Sequence, residues 1–133
     1  MARKPLEQAP ACPCGSGDNY PACCGRYLEG GETAPTAERL MRSRYTAFAR
    51  GNDDYLLATW HPDTRPSRVR LDPAQRWIGL RILCAEAGGE GDTAGTVEFV
   101  ARFKEGGRGH CLQELSRFEK IDGRWYYRDG DHR

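Results

Sequence analysis

The stretch Cys12-Pro-Cys14-Gly-Ser-Gly-Asp-Asn-Tyr-Pro-Ala-Cys23-Cys24-Gly25 places four thiols within 13 residues. The spacing is Cys-x-Cys, eight residues, then Cys-Cys. Four thiolates so arranged can wrap one soft divalent ion tetrahedrally, and a closed four-cysteine set is the usual form of a structural zinc site. A segment this short has no hydrophobic core of its own, so metal binding would supply most of its folding free energy.

Cys12, Cys14, Cys23 and Cys24 are therefore the expected metal ligands, with zinc as the ion and iron as its competitor, since four thiolates suit both. Two other chemistries compete. In an oxidising compartment the same residues could pair as disulfides in three ways. No apolar run follows Met1-Ala2-Arg3-Lys4-Pro5, so no signal peptide is visible and a reducing cytoplasm is expected. Thiol redox chemistry is the other rival, although a bridge between the adjacent Cys23 and Cys24 would be strained. Gly15 and Gly17 allow tight turns that aim amides at sulfur. Lys4 and Arg26 lie near enough in sequence to offset some of the anionic charge of a metal–tetrathiolate, or to sit on a solvated surface.

Hydrophobic content is 38%, charged content 29% and net charge +1. No apolar run approaches a membrane span. The charge balance gives no global electrostatic case for nucleic acid. The 133 residues suffice for one core and a small appendage.

Residues 1–11 read as a loose tail, 12–26 as the knuckle and 28–35, Gly-rich and ending in Pro35, as a flexible linker. Thr36 is a candidate N-cap. Ala37, Leu40, Met41, Arg44/Tyr45 and Phe48 recur at helical spacing, and Gly51 is a natural stop. Asn52-Asp53-Asp54 can cap a second helix, Tyr55 to Trp60, which Pro62 ends. Prolines make 61–75 a loop.

From Trp77 the period becomes two. Ile78, Leu80, Ile82 and Cys84 alternate with their neighbours, then Val97, Phe99, Ala101 and Phe103, then Leu112, Glu114, Ser116 and Phe118. Glu105-Gly106-Gly107 and Asp122-Gly123 are hairpin signals, and Arg124 to Arg128 is a last strand. Two helices followed by four antiparallel strands give an α+β domain whose curled sheet leaves a pocket under the helices.

Two resemblances follow from these residues. Cys-x-Cys-Gly-Ser-Gly with Cys-Cys-Gly resembles the SEC-C motif, which closes the preprotein translocase motor, binds zinc there and contacts a secretion chaperone and the ribosome. The translocase version ends in Cys-His where this chain has Cys23-Cys24. Over nearly the whole chain, Leu40-Met41-Arg42-Ser43-Arg44-Tyr45-Thr46-Ala47-Phe48, Tyr55-Leu56-Leu57-Ala58-Thr59-Trp60-His61-Pro62 and Asp122-Gly123-Arg124-Trp125-Tyr126-Tyr127-x-Asp129-Gly130 resemble the YchJ-like family of uncharacterised bacterial proteins. That resemblance implies a SEC-C-like zinc knuckle at 1–27, a linker at 28–35 and a cone-shaped NTF2-like domain at 36–133. It implies no established activity.

The expected function is a metal-binding cytoplasmic adaptor. The knuckle would contact a protein or ribosome partner, and the NTF2-like domain would be a second binding module. A small ligand in the cone and homodimerisation through the sheet are further expectations. The alternative is a small NTF2-like isomerase or hydrolase with an acid/base site in the cone. Glu114 is its candidate base, being the one acid on an otherwise apolar face, and His61 or Tyr45 its candidate donor. Against this, Glu114 could simply pair with Arg42 or Arg44, and His61 could be a capping residue. Cys84 and Cys111 read as small core residues. Trp60, Trp77, Trp125, Tyr126 and Tyr127 read as core and rim. A third option is redox or metal sensing through the four clustered thiols.

Overall fold

A computed structural model describes residues 10–133. A 3-10 turn, Tyr20–Ala22, and the short helix α1, Gly25–Leu28, follow the first two cysteines. Helices α2, Ala37–Arg50, and α3, Asp53–Ala58, precede strands β1, Arg76–Ala87, β2, Ala94–Glu105, β3, Arg108–Ile121, and β4, Arg124–His132. The four strands form one antiparallel sheet in the order β1-β2-β3-β4. The expected loose tail falls mostly, and Lys4 wholly, outside the described residues.

Local chemistry sets the helix ends. Thr36 accepts a hydrogen bond from the Arg39 amide at 3.1 Å, and Asn52 one from the Tyr55 amide at 3.0 Å. Gly51 ends α2 in the left-handed region, its N–H reaching the Ala47 and Phe48 carbonyls. The second helix runs from Asp53 to Ala58, two residues earlier at each end than expected. Its C-terminal neighbours are drawn to the sheet: the Thr59 carbonyl accepts from the Tyr127 amide, and the Tyr127 carbonyl from the His61 amide.

The β2 and β3 alternation is as the sequence predicts. Cross-strand pairs Val97–Ser116, Phe99–Glu114 and Ala101–Leu112 turn one face inward. Asp122-Gly123, both at positive φ, closes the β3–β4 hairpin as a two-residue turn.

Strand β1 departs from strict alternation. Register shifts at Trp77/Gly79 and Ile82/Cys84 keep Trp77, Leu80 and Ile82 against the core and turn Ile78 and Leu83 outward. Cys84 and Cys111, expected in the core, are both exposed. Cys84 follows the second bulge, and Cys111 lies near the open end of β3.

Strand β4 runs four residues past Arg128. Asp129-Gly130-Asp131 looks like a turn in sequence, but Arg117 on β3 bonds both carboxylates and holds the segment in register.

The segment 28–35, expected to be flexible, is held at several points. The Glu32 amide bonds the Arg26 carbonyl, Ala34 is buried and the Pro35 carbonyl accepts from the buried Trp125 indole at 3.2 Å. The cysteine knuckle is docked, not swinging. Its cysteines, Tyr20 and Tyr27 share one core with Leu40, Met41, Tyr45, Phe118 and Trp125.

Candidate functional site

Helix α2 positions two sites, one on each side. On one side Arg39, Arg42, Thr46 and Arg50 meet the knuckle. On the other Met41, Arg44, Tyr45 and Phe48 roof the cone. Positions 39, 42, 46 and 50 recur every three or four residues, so one stripe of the helix carries the polar and charged contacts to the knuckle. In sequence that stripe reads as a solvated face, because its residues are charged or polar.

The knuckle loop doubles back through Cys12 N–H to the Asp18 carbonyl, and Gly15 and Gly17, both at positive φ, make the turns. Gly25 packs so closely on Tyr20 that any side chain would overlap the Tyr20 carbonyl. The result brings the sulfurs of Cys12, Cys14, Cys23 and Cys24 within 4.8 Å of one another, all four buried. A zinc–sulfur bond of about 2.3 Å implies a tetrahedron edge of about 3.8 Å. The Cys14–Cys23 sulfur separation is 3.6 Å. All four cysteines are free thiols. The donor set therefore fits a tetrahedral metal ion.

Packing the four thiols together drives their titrations apart. The crowding of the Cys14 and Cys24 thiols against its sulfur holds the Cys12 thiol far below its ordinary pKa. The same contacts, reinforced by burial, push Cys14 and Cys24 up. Around the cluster, the Ser16 hydroxyl lies 3.1 Å from the Cys23 sulfur and the Arg39 guanidinium 3.9 Å from it. Thr46 Oγ1 lies 3.7 Å from the Cys12 sulfur, and Arg42 donates to the Cys14 carbonyl at 2.8 Å. Such outer contacts orient ligands and offset anionic charge. Arg26 instead bonds the Cys23 carbonyl and the Tyr27 hydroxyl. The cations nearest the sulfurs thus come from α2, distant in sequence.

Across the helix lies a cavity of about 560 Å³, walled by the rings of Tyr45, Phe48, Trp60, Trp77, Phe103 and Tyr127. Trp77 anchors the cluster, 4.8 Å from Phe103 and 6.0 Å from both Tyr45 and Phe48 between ring centres.

Glu114 lines this cavity without the expected arginine partner. Its Oε2 accepts from the Ser116 hydroxyl at 2.7 Å and the Tyr127 hydroxyl at 3.0 Å. Its carboxyl lies over Gly130, where a methyl group would overlap it. Arg42 is turned to the knuckle. Arg44, 3% exposed, donates from Nη1 to the Leu56 carbonyl and Thr59 Oγ1 and lies over the rings of Tyr127 and Trp60. Burial lowers its pKa to about 10, which leaves it a cation at neutral pH.

Tyr45 lines the cavity, and its pKa is raised by burial. His61 does not line it. Its Nδ1 accepts from the Asp63 amide and its Nε2 bonds Glu119 at 3.0 Å, pinning the 61–75 loop to the sheet. Of the three candidate catalytic residues, Glu114 and Tyr45 share the cavity and His61 sits apart.

The comparisons with known proteins agree with this geometry. The family model described as "YchJ, middle NTF2-like domain" matches residues 36–130. A UPF0225 protein of Streptomyces coelicolor is 54% identical over 122 residues, covering 92% of this chain and 95% of that protein. A UPF0225 protein of Chromobacterium violaceum is 56% identical, covering 90% and 91%. A SEC-C motif containing protein from Rhodopseudomonas palustris, solved in solution, superposes with a TM-score of 0.80 at 38% identity, covering 90% of this chain and 96% of that one. A second, from Psychrobacter arcticus, gives 0.76 at 28% identity, covering 92% and 81%. With its cysteine knuckle docked on an NTF2-like α+β domain, the chain belongs to the YchJ-like, UPF0225 family.

Proposed function

We propose that this chain is a zinc-braced binding protein whose working site is the cone. The observation that carries the reading is the position of α2 between a closed set of four buried sulfurs and an open aromatic cavity. Four thiolates leave a tetrahedral ion no open position, so the metal braces the fold and does no chemistry. Zinc fits better than iron because a brace needs no redox change, and the reducing cytoplasm keeps the ligands as thiolates. A cavity of this size, mostly apolar with a few polar groups, is typical of a small-molecule site. Screening the metal-loaded chain against small aromatic compounds by calorimetry tests this reading. Saturable binding supports it, and a cone that binds none of them refutes it.

The protein or ribosome partner implied by the SEC-C resemblance would dock on the outer edge of the knuckle, where Gly15, Asp18, Asn19 and Pro21 are exposed. A pulldown in which the metal-loaded chain retains neither ribosomes nor nascent chains would remove that partner. A second copy would pair along β1, an edge strand on which Ile78 and Leu83 are 48% and 44% exposed. Light scattering that finds only monomers would remove it.

One observation favours an enzyme as the second reading. Glu114 lines the cavity and is not tied to an arginine. An isomerase or hydrolase in the cone would use it as base. Turnover that survives Glu114→Gln would exclude that role.

A further inference from the structure

The cone's walls are aromatic, yet its lining includes two opposite charges that do not meet. Arg44 makes no ion pair among the described residues, and only its Nη1 is hydrogen-bonded. Its Nε and Nη2 carry no hydrogen bond among the described residues, and Arg44, although 3% exposed, is one of the residues that line the cavity. Glu114 also lines the cavity, and its Oε1 accepts no hydrogen bond among the described residues, because both of its carboxyl's bonds fall on Oε2.

The cavity thus offers donors and an acceptor within one aromatic box. An entering anion would meet the Glu114 carboxylate, and an entering cation would meet Arg44. Either would also have to shed its hydration in an apolar site. A neutral group carrying a donor beside an acceptor satisfies both charges and brings none of its own. The rings around Trp77 supply faces for a flat aromatic body. From this juxtaposition we propose that the cone binds neutral aryl carboxamides, the amide N–H donating to Glu114 Oε1, the amide carbonyl accepting from Arg44 and the ring lying against Trp77 and Phe103.

This inference rests on the cone being a small-molecule site, and the test separates the two claims. The metal-loaded full chain is titrated calorimetrically with 2-naphthamide, 2-naphthoate and 2-naphthylmethylamine, which share a ring and differ in charge. The amide is expected to bind at least about 10-fold more tightly than either ion, the scale of a hydrogen bond to a charged group. Glu114→Gln is expected to weaken the amide about 10-fold and to bring naphthoate level with it or ahead, because Arg44 then lacks its balancing charge. If the wild-type chain prefers the carboxylate or the amine, the carboxamide class is wrong and the cone remains a ligand site. If none of the three binds, both claims fall. The wild-type order decides the question whether or not the variant folds.

Discussion

Chelation, or replacement of Cys14 by Ser, takes away the cation that would hold four buried sulfurs together, and the consequence should reach the far side of α2. Tyr20 and Tyr27 are 6% and 5% exposed in the docked knuckle. A buried aromatic side chain covers at least about 150 Å². Losing two such contacts at about 25 cal/mol per Å² costs about 7.5 kcal/mol. Partial burial in the unfolded chain makes that an upper figure. A domain of this size is stable by only about 5–15 kcal/mol in total, so the cone without its brace is marginal. At a few degrees per kcal/mol, the melting temperature should fall by up to roughly 20 °C. Trp60, Trp77 and Trp125 all lie outside the knuckle in sequence, so tryptophan fluorescence follows the NTF2-like domain, with Trp125 also sensing the core it shares with the knuckle. The expected result is one tryptophan-monitored transition, shifted down by chelator and by Cys14→Ser, and unmoved by Cys84→Ser at an exposed thiol. A tryptophan transition that stays in place while the metal leaves would refute the coupling and make the knuckle an independent appendage.

Three further outcomes follow from the geometry. Gly130→Ala should displace the Glu114 carboxyl, cost about 1–3 kcal/mol of stability and change the amide shifts of Ser116 and Tyr127 in NMR spectra. Burial raises the tyrosine pKa values, to about 12 for Tyr20 and Tyr55. Between the unfolded value near 10 and that value the folded chain holds more protons, so stability should fall as pH rises from about 10 to 12, with phenolate absorbance at 295 nm appearing late. Because α2 carries both sites, removing the metal should weaken cone ligands about 5- to 150-fold, and by reciprocity a bound ligand should tighten metal binding, read in competition with a chelator, by the same factor. Equal ligand affinity with and without metal would contradict that link.

Much of this was legible because it depends on local rules. The cysteine spacing, Thr36, Asn52, Gly51 and Asp122-Gly123 each impose one conformation on their neighbours, and the period-two pattern of β2 and β3 placed Glu114 on the inner face. What escaped depends on distant partners. The register shift beside Gly79 turns Ile78 out, which no alternation rule contains. Asp129-Gly130-Asp131 joins β4 because Arg117 stands opposite and because Glu114 needs the space over Gly130. The docking of the knuckle was hidden because Arg39, Arg42, Thr46 and Arg50 have the composition of a wet helix face. A polar stripe on a helix that follows a four-cysteine motif, at spacings of three and four, is the signal that could have revealed it. The 28–35 segment looked mobile from its glycines alone, whereas Ala34 and the Pro35 carbonyl tie it down.

Metal content per chain, by elemental analysis of the purified protein beside Cys23→Ser, decides whether the four sulfurs hold an ion. One zinc per wild-type chain is expected, with loss of that zinc in the variant. Wild-type protein that holds no metal under reducing conditions, with its tryptophan transition unchanged by added zinc, would contradict it.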